Sequence, residues 1–170
     1  LSDYWQKKPV CIRNGVAFQE ALIAVDELAG LALEPEVESR LIENNGDVKD
    51  WQVIHGPLVE ADFNKERDFP WTLLVQGVDC FVPQVHDFLA RFRFVPSWRL
   101  DDIMISYATQ GAGVGAHFDR YDVFLIQGEH SIPLDERLKK HEHLKHLKLA
   151  LTASGQTSLA ALNLPPTLTH

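Results

Sequence analysis

Two strand-length segments, Ile103 to Ala108 and Tyr121 to Gln127, flank the glycine-rich stretch Gly111-Ala112-Gly113-Val114-Gly115-Ala116-His117-Phe118-Asp119. A strand, a glycine-rich loop and a second strand mark this part of the chain as β structure. The rest of the sequence adds pieces of similar size. Ser39 to Glu43 and Trp51 to His55 alternate apolar with polar residues around Asn45-Gly46, which predicts a hairpin with a loop longer than two residues. Trp71 to Val78 is a further apolar strand, and Pro9 to Arg13 reads as a short one. Asp26 is placed to cap a small helix over Glu27 to Leu33. Val82 to Phe94 carries Val85, Phe88, Leu89 and Phe92 on one face of a second helix, and Leu134 to Ala150, rich in Leu, Lys and His, reads as a third. Thr152 to Ser158 reads as a polar loop. Short strands between Gly- and Pro-marked turns predict a mainly β jelly-roll or barrel with helices packed outside it.

The 170 residues suit one domain, and no linker or repeat divides them. A net charge of −8 argues against a protein that coats nucleic acid, yet it suits a basic protein as partner. No apolar run is long enough for a membrane span, and the polar start (Leu1 to Lys8) has no signal-peptide core. Cys11 and Cys80 lie among apolar neighbours and predict no disulfide framework, which points to a reducing, cytoplasmic setting. The chain opens on Leu1 and not on Met, so it reads as a fragment or a trimmed chain.

On a strand, residues two apart share a side, so His117 and Asp119 would project together. An imidazole beside a carboxylate supplies two ligands of the facial triad that holds Fe(II), with a second His needed from elsewhere. The same pair also occurs as a surface or hydrogen-bonded pair. The glycine stretch lacks the Lys-Ser/Thr of a phosphate loop; it reads as a close-approach loop beside a ligand or as a plain turn. Leu162-Asn163-Leu164-Pro165-Pro166 fixes an extended or turn geometry before His170, which from composition alone is a terminal histidine. His130, His141, His143 and His146 read as a solvated helix face or a second metal site. Asp101-Asp102 either bind a cationic substrate or are strand-edge carboxylates, paired to Arg99 or exposed; Tyr121 and Asp122 are candidates to shape a substrate pocket. Trp5, Trp51, Trp71 and Trp98 read as core anchors.

From Tyr4 to about Gly128 the chain resembles the bacterial JmjC-type ribosomal oxygenases, cupin-fold arginine hydroxylases. The matching stretches are Tyr4 to Val10, Asp26 to Ala32, Glu36 to Leu41, Trp51 to Val53 with His55-Gly56-Pro57, and Leu73 to Gln76. The longest runs from Trp98 to Ser106 and continues through Gly113-Val114-Gly115 and His117-Phe118-Asp119 to Tyr121-Asp122-Val123-Phe124. The resemblance implies a JmjC/cupin double-stranded β-helix over residues 1–170. Residues 1–100 would supply flanking helices and strands, and residues 101–170 the metal-binding core. It implies His117 and Asp119 as iron ligands and Ser106 as a contact of the 2-oxoglutarate co-substrate. The family's third ligand lies in a Pro-Pro-x-x-x-His segment, a spacing that Pro165-Pro166 to His170 reproduces. The implied activity is Fe(II)/2-oxoglutarate-dependent hydroxylation of an arginine on a large-subunit ribosomal protein, without direct nucleic-acid or membrane binding, by a family that tends to dimerise.

Residues 129–162 depart from the pattern. Where the family has a basic strand whose arginine pairs with the distal carboxylate of 2-oxoglutarate, this chain has Glu129-His130-Ser131-Ile132-Pro133. A double-stranded β-helix also needs strands beyond its distal histidine, so the barrel is expected to be incomplete at the C-terminus. Two alternatives therefore stand beside the hydroxylase: a degenerate, non-catalytic cupin-like binding module, and a 2-oxoglutarate oxygenase with another substrate.

Overall fold

The alternation in the first predicted hairpin builds a registered antiparallel pair. β1 (Ser39–Asn44) sets Leu41 opposite Ile54 and Ile42 opposite Val53 of β2 (Trp51–His55). The structure, a computed structural model, describes residues 3–7, 10–12, 15–16, 22–44, 51–109, 111–115, 117 and 119–126, together with the backbone of 127 and 144–153. β3 (Trp71–Val75), β4 (Leu100–Thr109), β5 (Asp122–Gln127) and β6 (Leu144–Ala153) complete one six-stranded sheet in the order β2-β1-β3-β4-β6-β5. Every pairing in it is antiparallel. The helices are short: α1 (Val25–Leu31), α2 (Glu60–Asn64) and α3 (Pro83–Phe88).

Directly opposed residues of antiparallel strands share a face, so the register sorts the strand residues onto two faces. One face carries Leu41, Trp71, Leu73, Val75, Ile103, Ile105 and Tyr107, all buried, against Val25 and Leu28 of α1 and Val85 and Phe88 of α3. Removing each such side chain from water contributes about 1.5–3 kcal/mol, which makes this face the core. Phe124 of β5 joins it through ring contacts with Trp5, Phe92 and Phe94 at 5.5, 5.1 and 5.9 Å. The other face carries Arg40, Ile42, Thr72, Leu74, Met104, Ser106 and Ala108.

Several expectations shift. α1 starts two residues before the predicted Glu27, with Ala24 as its cap residue, and Asp26 lies in the first turn, where its charge still suits the helix dipole. The predicted helix over Val82 to Phe94 is α3 followed by a 3-10 turn over Leu89–Phe92; Val85, Phe88 and Phe92 are nonetheless buried as expected. Pro96 follows closely and disfavours helical backbone at Val95. Val10 to Ile12 form no strand. The helix read over Leu134 to Ala150 is wrong from Leu144 onward, where β6 runs antiparallel between β4 and β5. Leu147, Leu149 and Leu151 alternate with Lys148, Ala150 and Thr152, and two flanking strands turn that alternation into a ladder. The polar loop read over Thr152 to Ser158 is displaced at its start, since Thr152 and Ala153 belong to β6. The rest of Leu134 to Ser158 lies outside the described residues.

Trp71 is a core anchor as expected, whereas Trp98 is 79% exposed and anchors nothing in the core; Trp5 and Trp51 are half-buried. Cys11 and Cys80 are both free and exposed.

One buried ion pair closes the core at the end of β1. Glu43 is 1% exposed and accepts from Arg67 Nε, while the Arg67 guanidinium lies 5.8 Å from the Trp71 ring centre and Lys65 Nζ stands 3.4 Å from Glu43. Removing Arg67 leaves the buried Glu43 carboxylate with only the half-exposed Lys65 beside it, so Arg67→Ala is expected to cost about 3 kcal/mol. The more exposed partner matters less, and Lys65→Ala is expected to cost under about 1 kcal/mol. Urea unfolding of the two variants checks the ranking.

Candidate functional site

The strand expected to present His117 and Asp119 is absent: residues 111–115, 117 and 119–121 form an irregular connection from β4 to β5. The two side chains still converge. His117 Nε2 lies 3.7 Å from Asp119 Oδ2, and the other ring nitrogen, Nδ1, lies 3.0 Å from the carbonyl oxygen of Gly115. With Nδ1–H donating to that carbonyl, Nε2 is the nitrogen turned to the carboxylate. Gly115 has φ +77°, a left-handed conformation natural to glycine, and Gly111 at φ +79° makes the corresponding turn where the chain leaves β4.

Donors bound in adjacent positions at roughly 2.1 Å from a metal lie about 3 Å apart, so a small side-chain rotation lets this pair share an ion. Both remain accessible, His117 more than Asp119. Among the described residues no third His, Cys, Asp or Glu joins them. His170, the expected third ligand, lies outside the described residues, as do His130, His141 and His143. His146 falls on β6, in register with Ala108, so the helix face read for these histidines does not extend to it.

Ser106 stands half-buried on β4, on the sheet face away from the core, opposite Leu74 of β3. In the β4–β6 ladder its register partner is Lys148. Asp102 lies on the same face of β4, where Gln76 Nε2 donates to its Oδ2 at 2.6 Å and the amide of Gly77 at 2.8 Å. Arg40 Nη2 donates in turn to Gln76 Oε1 at 3.4 Å and lies 3.5 Å from Glu38. A polar chain from Arg40 through Gln76 to Asp102 thus crosses three strands.

Tyr121 lies within electrostatic reach of both this corner and the His117–Asp119 pair. Its hydroxyl is held above the ordinary phenol range first by burial, then by the carboxylates of Asp119, Asp102 and Asp101, with Arg40 acting in the opposite sense. Asp122 goes elsewhere. It is 2% exposed on the core face and accepts from Gln6 Nε2 at 3.1 Å, so the structure separates it from the pocket-shaping role read for it alongside Tyr121. Arg40, Gln76 and Gly77 were not singled out from sequence as site residues, because only the β1-β3-β4 register brings them to Asp102. The signal nearest to them was the Gln76-Gly77 pair closing an apolar strand.

The model of the JmjC domain matches residues 87–148. Ribosomal protein uL16 3-hydroxylase of Escherichia coli K12 is 43% identical over 148 residues, 86% of this chain and 39% of that protein. The solved structure of YcfD, a ribosomal oxygenase from Escherichia coli, superposes with a TM-score of 0.76 at 31% identity, covering 91% of this chain and 49% of that one. Over most of its own length the chain is thus similar to JmjC-type ribosomal oxygenases. The mainly β fold with flanking helices is therefore the JmjC/cupin fold. A YcfD structure in complex with cobalt and 2-oxoglutarate matches with a TM-score of 0.66 at 30% identity, over 85% of this chain and 46% of that one. The chain spans about two-fifths of that curated relative and about half of these solved chains.

Asp102 is held by two donors at the end of β3. Asp102→Ala leaves the Gly77 amide and the Gln76 side chain without this acceptor, an expected loss of about 1–3 kcal/mol. Asp102→Asn keeps an acceptor oxygen for the Gly77 amide and is expected to recover most of that loss. Chemical denaturation of both variants measures the difference.

Proposed function

We propose that this chain is the iron-binding part of an Fe(II)/2-oxoglutarate-dependent hydroxylase acting on an arginine side chain of a large-subunit ribosomal protein. The observation that carries the proposal is the convergence of His117 and Asp119 at 3.7 Å, with the second His117 nitrogen committed to Gly115. The names and ligands of the family members similar to this chain support it. Iron(II) with 2-oxoglutarate supplies the oxidising chemistry that side chains lack. His117, Asp119 and, by its Pro-Pro spacing, His170 hold the metal in this reading.

The Ser106 hydroxyl donates to the co-substrate carboxylate. Asp102 and Tyr121 orient the substrate guanidinium, the carboxylate as a charged acceptor and the hydroxyl as a neutral one. Burial of Tyr121 favours the neutral phenol that this role needs. The cytoplasm is the compartment that suits such a substrate, and among the described residues no helix is long and apolar enough to cross a membrane.

A second reading is a metal-retaining, non-catalytic module. It is favoured by the two-donor site among the described residues. One experiment separates the readings: the chain is incubated with Fe(II), 2-oxoglutarate and an arginine-bearing peptide of a large-subunit ribosomal protein. The hydroxylase predicts succinate release and a one-oxygen mass gain on the peptide, both lost in Asp119→Ala. Metal retention with no Asp119-dependent succinate selects the binding module, and absence of both sinks the iron site.

A further inference from the structure

Among the described residues, the sheet face away from the core carries one buried hydroxyl that packing does not require. Thr72 of β3 is 2% exposed, and its register neighbours on that face are Ile42 of β1 and Ala108 of β4, both apolar. A valine has the same shape and would fill this place without burying a hydroxyl, which is costly unless it is hydrogen-bonded. Thr72 Oγ1 donates to the carbonyl oxygen of Gly113 at 3.1 Å, in the middle of the connection that leads to His117. Two residues further, a Cβ built on Gly115 would lie 3.6–3.8 Å from ring atoms of Trp51 on β2, so the indole lies against this glycine. Gly115 is also the residue whose carbonyl holds His117 Nδ1.

From these contacts we infer that Thr72 is a positioning residue for the metal pair: its hydroxyl fixes the Gly113–Gly115 segment to the sheet, with Trp51 as the second point of attachment, and so sets the direction of the His117 ring. The inference rests on the metal-binding reading above. It extends that reading from the ligands to the sheet beneath them. An irregular connection has no ladder of its own to fix a ligand, and partners behind a ligand commonly govern metal affinity.

Cobalt(II) binding to the full chain tests this without turnover, by calorimetry and by the visible spectrum of the bound ion. Thr72→Val is expected to weaken cobalt binding about tenfold or more, while Thr72→Ser, which restores the hydroxyl, returns it to near the wild-type value. A purely structural hydroxyl would lower the melting temperature of Thr72→Val and leave affinity and spectrum unchanged in the folded protein. Should Thr72→Val fail to fold, Trp51→Leu on the edge strand removes the second attachment and is expected to weaken cobalt binding in the same way. His117→Ala is the control that tells the two failures apart. Loss of binding in His117→Ala with wild-type binding in Thr72→Val overturns the positioning role alone; wild-type binding in His117→Ala overturns the metal reading beneath it.

Discussion

The strict two-residue alternation of β4 is the constraint on which the rest of this structure depends. Ile103, Ile105 and Tyr107 enter the core, so Asp102, Met104 and Ser106 have only the opposite face available. A slip of one residue would put Asp102 and Ser106 among the helices and expose the isoleucines. Apolar burial therefore fixes where the polar groups of the site lie, although none of them contributes to that burial. The start of the strand is secured separately, by the Ile103 amide donating to Asp79 Oδ1 at 2.8 Å beside a register shift in the β4–β6 pairing.

The end of β4 matters as much as its middle. Thr109 Oγ1 accepts from the amide of Trp71 at 2.9 Å and stands 3.2 Å from its carbonyl oxygen, which ties the strand end to β3 where the connection to β5 begins. From there the chain turns at Gly111, is held at Gly113 and turns again at Gly115 before His117. The His117–Asp119 pair is thus carried by an irregular segment attached to a regular one. Loop-borne ligands on a rigid sheet are a common division of labour, because irregular backbone can aim side chains that a pleated strand cannot.

The aromatic residues divide along the same lines. Trp71 and Tyr107 meet within the core at 5.8 Å, and the Tyr107 hydroxyl, held well above its ordinary range by burial, stays neutral there. Phe92, Phe94 and Phe124 join the 3-10 turn to β5. Trp98 stacks outward under Arg99 at 6.0 Å. Size and hydrophobicity made all four tryptophans look alike as core anchors, yet burial depends on which face of which element each one occupies.

The sequence by itself determined the strands β1 to β5 in outline, the hairpin, the buried face of α3 and the candidate pair His117 and Asp119, because alternation and motif spacing are local properties. It misread Leu144 to Ala150 as helix, since a Leu- and Lys-rich segment is amphipathic at either period and only pairing with β4 and β5 decides between them. It grouped Tyr121 with Asp122, although adjacent residues at a strand start point to opposite faces. Only the tertiary structure decided that the charges of Asp119 and Asp102 both act on Tyr121, that Arg40 and Gln76 support Asp102, and that Thr72 and Trp51 reach the glycine segment. Those relations involve four strands, β1 to β4, and they are set by register, which the fold as a whole imposes.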